Sequence, residues 1–163
     1  GKGPPFSQAS EYNPGSVTCD YVFIENEIAR LNAEGYLVIV TYQHHEYYSY
    51  SAPEVMAKEF DRMAEAGAVV VSGSQAHHPH ELTIINGGFV HYGLGNMFFD
   101  QYSVGVETRQ SFIDRHVFYN GQYISTELIP IQFIDFSRPR LMTNAEARAL
   151  LLEIFAVSEW VLP

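Results

Sequence analysis

Five of the seven histidines fall in two short stretches, His44 and His45 in the first and His77, His78 and His80 in the second. A neutral imidazole nitrogen is a ready ligand for zinc, manganese or iron, so clustered histidines suggest a divalent metal. His78 and His80 stand two apart. On an extended segment side chains alternate, which sends both rings to one face. Pro79 between them stiffens the backbone and lowers the entropy cost of holding the rings ready. Glu46 adds a hard oxygen donor beside His44. The competing reading is that loops carry histidine by chance and that the tyrosine-rich residues 42–50 are a packing or partner surface. Two clusters, each directly after an apolar run, favour the metal reading.

Those runs are Tyr36-Leu-Val-Ile-Val-Thr41 and Ala68-Val-Val-Val-Ser72, continuous in the way of buried parallel strands. Before the first, residues 19–34 read as a helix, with Ile24, Ile28 and Leu31 at helical spacing, Asp20 or Thr18 as cap and Gly35 as stop. Between the runs, Pro53 opens a second helix with Met56, Phe60 and Met63 on one face and Gly67 at its end. Strand, helix and strand in that order make a βαβ unit with a parallel sheet. Both histidine stretches then leave the carboxyl ends of strands, where open α/β sheets bind ligands, and they open on the same side.

The second half changes character. Residues 82–85 and 89–92 flank Asn86-Gly-Gly88, and residues 111–119 and 123–134 flank Asn120-Gly121, two hairpin signals. Both hairpins are expected to join a sheet packed against the parallel one. Residues 144–158 form a last amphipathic helix, with Thr143-x-x-Glu146 as a capping box. Residues 1–17 read as a Pro/Gly/Ser-rich extended segment or linker without the apolar run of a signal peptide, and 18–163 as one domain or one piece of one. The fold class is α/β.

Composition narrows the function. The chain has 163 residues and is 47% hydrophobic, enough for a real core. Nine Lys/Arg against nineteen Asp/Glu give a net charge of −10, which argues against a nucleic-acid partner unless metal ions mediate the contact. No apolar run is long enough for a membrane-spanning helix. Cys19 is the single cysteine, so there is no disulfide framework, and it reads as a small buried residue.

Five blocks then carry a resemblance: Val38-Ile-Val-Thr-Tyr-Gln-His-His-Glu-Tyr47, Ala66-Gly-Ala-Val-Val-Val-Ser-Gly73, His78-Pro-His80, Tyr92-Gly-Leu-Gly-Asn-Met-Phe-Phe-Asp100 and Pro139-Arg-Leu141. In that order they resemble the bacterial capsule-synthesis proteins of the CapA, or poly-γ-glutamate, type within the calcineurin-like metallophosphoesterase superfamily. The similarity spans residues 18–158 and resembles only the C-terminal half of a full member. Tyr42 stands where the family's usual H-W-G-x-E-Y block has its histidine, and His44 lies two residues later.

The resemblance implies a part of a four-layer α-β-β-α sandwich and a metal-dependent phosphoesterase-like activity in capsule polymer synthesis, export or attachment. The alternative is a non-catalytic envelope protein that binds an anionic polymer or a protein partner. The implied metal ligands and catalytic groups are His44, Glu46, His78 and His80, holding manganese, zinc or iron. His77, Asn96 and Asp100 would stand behind them. Asn96 and Asp100 equally suit a tight turn and a loop cap. The expected partners are a missing N-terminal half or a second copy of the chain, and the expected location is the cell envelope. One pocket is expected to hold His78 and His80 with His44 or Glu46.

Overall fold

The computed structural model describes residues 8–17 and 19–159. Asp20 starts the first helix: its carboxylate accepts the Phe23 backbone N–H at 3.0 Å and caps α1 (Tyr21–Ala33). Thr18, the other candidate cap, lies outside the described residues, as do 1–7 of the expected N-terminal segment. The described part of that segment doubles back, with the Ala9 N–H donated to the Ser16 carbonyl at 2.8 Å. Gly35 ends α1 at φ +88°, and the Tyr36 N–H returns to the Leu31 carbonyl at 3.1 Å. Closing the helix therefore consumes the start of the first apolar run, and β1 is confined to Ile39–Gln43.

Pro53 precedes α2 (Glu54–Glu65), which buries Met56, Phe60, Met63 and Ala64. β2 (Val70–Ser74) follows, then β3 (Leu82–Ile85) and β4 (Gly88–His91). Their turn puts Asn86 at φ +50° and Gly87 at φ +81°, the double positive φ of a type I′ hairpin. A short 3-10 turn at Glu107–Arg109 leads into β5 (Gln110–Tyr119). β5 turns at Asn120-Gly121 into β6 (Gln122–Ile134), and β7 (Arg138–Leu141) and α3 (Asn144–Val157) complete the chain. The Thr143/Glu146 capping box is formed as the sequence implies.

One sheet has the order β1-β2-β4-β3, and the other has the order β5-β6-β7. β1, β2 and β4 run parallel, and β3 is antiparallel to β4. The first hairpin thus enters the parallel sheet instead of packing against it, while the second hairpin does form a separate sheet. Burial explains the difference. Phe89, Val90 and His91 are all buried, so β4 needs cover on both faces and sits inside the sheet. β7 was not expected as a strand; its Pro139 is tolerated because β7 is an edge.

The fold is α/β, with two sheets and three α-helices among the described residues. Ile28, Tyr42, Met56, Phe60, Met63, Val71, Val90 and Tyr92 make the core between helices and sheet. Cys19 is half-buried at the margin of that cluster, so it is less enclosed than the sequence suggested. On the other face Val70, Leu82 and Phe89 meet Phe112, Leu150 and Ile154. That apolar face is closed in its middle by β5 and α3, and at the β1 edge Ile39 remains 50% exposed.

Candidate metal-binding site

Parallel pairing brings Gln43 and Ser74 into register, so both histidine loops leave one end of the sheet. The loops are tied together. The Tyr47 N–H donates to the Ala76 carbonyl at 3.4 Å, and the Gln75 side chain spans from Gln43 at 2.8 Å to Glu46 at 3.3 Å. Gln75 and His77 adopt φ of +77° and +63°. Left-handed backbone at two non-glycine positions costs of order 1 kcal/mol each and clusters at functional sites.

His77, His78 and His80 are all buried. The His77 Nδ1–H donates to Asn96 Oδ1 at 2.8 Å, and the Asn96 amide nitrogen donates to the Thr108 carbonyl at 3.1 Å, which fixes the amide's orientation. Asn96 therefore does hold a histidine. On its other side His77 Nε2 stands 3.3 Å from Glu46 Oε1. Glu46 is half-exposed and accepts the Tyr48 hydroxyl at 3.0 Å. That donation, aided by His77, holds its carboxyl below the ordinary carboxylate range.

His78 lies between Tyr48 and Tyr50, with ring centroids 5.5 and 6.1 Å away, and burial lowers its pKa. The His80 Nδ1–H donates to the Ser49 carbonyl at 2.7 Å. Its ring lies over Gly93, where a Cβ would come within 2.6 Å of the ring. Burial pushes the His80 pKa down to about 4. Among the described residues His77, His78 and His80 each keep one buried ring nitrogen without a hydrogen-bond partner.

The remaining expected residues lie apart. His44 is buried and donates through Nε2 to Glu59 of α2 at 2.8 Å, so it faces the helix layer. Asp100 is exposed and accepts the Tyr102 backbone N–H at 3.2 Å, the loop-capping arrangement. Glu46 stands with His77, a residue that the sequence placed behind the ligands. Among the described residues no three His, Cys, Asp or Glu side chains gather in metal-holding geometry.

One pair escaped the sequence reading. His91 of β4 donates through Nδ1–H to Asp114 Oδ2 of β5 at 2.7 Å, both side chains buried. The signal was the inward alternation Phe112, Asp114, His116, which puts a carboxylate where a core strand would carry an apolar side chain.

No helix among the described residues is long and apolar enough to cross a membrane. No curated protein matches the chain. The sequence model of a family described as bacterial capsule synthesis protein PGA_cap matches residues 4–101. The match takes in β1 to β4, both histidine loops and the Tyr92–Asp100 block, and it covers more than half of the chain. The chain therefore belongs to the bacterial capsule synthesis protein family PGA_cap, whose association is with capsule synthesis.

Proposed function

We propose that the chain is a divalent-metal-dependent, phosphoesterase-like part of a capsule-synthesis protein, working at the cell envelope on a phosphoester or an anionic polymer. One observation carries this reading. Among the described residues His77, His78 and His80 each keep a buried ring nitrogen that makes no hydrogen bond, and that of His77 lies 3.3 Å from the Glu46 carboxylate, within ion-pair reach. The His77 Nδ1–H is already given to Asn96, so two acceptors face each other across that gap. Only a proton or a cation relieves them.

The donor set fits an ion with mixed nitrogen and oxygen preference, manganese, zinc or iron. Glu46, His78 and His80 would hold it, with His77 beside Glu46. His44, anchored on Glu59, keeps the loop bearing Glu46 in place. When bound, such an ion clamps a phosphate and acidifies a water near neutral pH. The chain's own residues orient and exclude. Ser49 and Gly93 fix the His80 ring, Asn96 fixes His77, and Tyr48 keeps Glu46 ionised. With a net charge of −10, a bound cation would favour the approach of an anionic substrate. The donors present fall short of a two-metal site, and we propose that another segment of the protein or a second copy supplies the rest.

The test is metal analysis of the purified protein followed by hydrolysis of bis(p-nitrophenyl) phosphate with manganese or zinc. Glu46→Gln and His78→Gln should each lower turnover by about 100-fold, in keeping with loss of an electrostatic or acid–base group. The dispersal of donors favours a second reading, a non-catalytic protein that binds anionic polymer. Stoichiometric metal with polyglutamate binding and no hydrolysis would decide for it.

A further inference from the structure

His91 and Asp114 lie outside every motif of the capsule-synthesis resemblance, yet their arrangement is that of a metal-facing imidazole. Leu82 and His91 are cross-strand partners, and the His80 N–H donates to the Gly93 carbonyl at 2.8 Å, which continues the same register. His80 and His91 are therefore diagonal neighbours whose side chains leave the same face of the sheet. At that spacing rings on the two strands are within reach of a common atom. The His80 ring is folded over Gly93, two residues from His91 on β4, and the carbon nearest the glycine, Cδ2, is the one bonded to Nε2.

Each ring is oriented through Nδ1 by an oxygen: the Ser49 carbonyl at 2.7 Å for His80 and the Asp114 carboxylate at 2.7 Å for His91. Among the described residues each leaves Nε2 without a hydrogen-bond partner, and both residues are 0% exposed. Histidines that ligate metals almost always give their other N–H to a carboxylate or a backbone carbonyl, which sets the tautomer and raises basicity. Both kinds of support are present here. With Nδ1 protonated, a neutral ring offers Nε2 as a lone pair. Each is a buried lone pair, that of His91 walled by Phe89 and Phe112, and a buried acceptor without a donor or a cation is costly.

We propose that His80 and His91 form a two-imidazole half-site for a divalent cation, with Asp114 as the positioning residue behind His91. The inference rests on the metal-binding reading above and extends it from the loops into the space between the two sheets. It assigns β5, which lies outside the matched family region, a part in the site. Water or a donor from another segment completes the coordination.

Cobalt(II) is the probe, because its visible bands report nitrogen coordination whether or not the protein turns anything over. His91→Gln should weaken cobalt binding at least 10-fold and reduce the band intensity. Asp114→Asn should weaken it roughly 10- to 100-fold, the usual effect of losing such a support. His45→Gln, an exposed ring, should leave both readings unchanged. A folded His91→Gln protein with wild-type affinity and spectrum would overturn the proposal, as would a wild-type protein that binds no cobalt. If the variant does not fold, wild-type protein still decides. Substoichiometric manganese(II) must broaden the His91 and His80 ring resonances before that of His45, and their remaining sharp while manganese is bound refutes it. Cobalt held by His91 without phosphodiester hydrolysis would leave this inference standing and remove the hydrolase. Hydrolysis with an indifferent His91 would do the reverse.

Discussion

The two histidine loops leave the same end of the same sheet, but they are built by opposite means. After β1, the chain buries His44 against α2 and then exposes His45, Glu46, Tyr48 and Ser49, with Tyr47 half-buried among them. After β2, Ala76 to His80 are buried without a break. The second loop holds its rings before any ligand arrives, so little ordering entropy remains to be lost on binding. The first offers a carboxylate on a stem that solvent reaches, and its cost is deferred to the bound state. A site assembled from one rigid and one adaptable wall tolerates change in the second wall far better than in the first.

The largest expected effect comes from Gly93→Ala. Its Cβ would stand 2.6 Å from His80 Cδ2 and 2.9 Å from Ala76 Cβ, and neither can retreat. Such overpacking should cost about 3 kcal/mol in urea unfolding, whereas His45→Ala in the other loop should stay within about 0.5 kcal/mol. Equal losses would break the comparison.

Acid should discriminate almost as strongly. The His80 pKa is lowered from 6.5 to about 4, first by burial. As pH falls below 6.5 the unfolded chain takes up a proton there that the folded metal-free protein refuses, so stability declines between pH 6.5 and about 4 and levels off below. The shift corresponds to about 3 kcal/mol. Comparing urea unfolding of metal-free wild type with that of His80→Gln across this window isolates it, and parallel curves would show that the ring is not held dry.

Asn96→Ala should come next, at about 2 kcal/mol, because it orphans the buried His77 Nδ1–H and the Thr108 carbonyl together. Glu46→Gln should change thermal stability least, within about 0.5 kcal/mol, since its carboxylate is 46% exposed. A larger loss would mean that the β1 loop depends on that carboxylate for its fold.

Periodicity made the scaffold legible. The α1 and α3 caps, the βαβ unit and both Asn-Gly turns follow from local chemistry and stand where the residues imply. What local chemistry does not carry is partnership between strands. The pattern of residues 82–92 announces a hairpin but not its neighbour; that β4 inserts beside β2 becomes apparent from the observed burial of Phe89 and Val90 together. The site shows the same division. The His-Pro-His spacing was legible, and so was Asn96 as a residue able to bond a histidine, but the partner of Glu46 is His77, reached through left-handed backbone at Gln75 and His77 that no pattern of residue types announces. His44 turns to Glu59 because α2 presents a half-buried carboxylate to it, a tertiary fact. Asp114 was visible as an inward charge on a strand, and its acceptance of His91 becomes apparent only when the two sheets meet.

The β5–β6 hairpin has a consequence in time. Its strands, of ten and thirteen residues, are joined by Asn120-Gly121 alone, with both residues already at positive φ. Such a turn lets neighbouring residues zip together within roughly 1–10 μs. The parallel pairs β1–β2 and β2–β4 must instead close loops that contain α2 and β3, which is slower. The wall carrying Asp114 should therefore exist first, and β4 docks His91 onto a carboxylate already in place. In this order of events the polar contact between the sheets acts as a register mark: a β4 that arrives one residue out of step turns His91 away and leaves Asp114 buried without its donor.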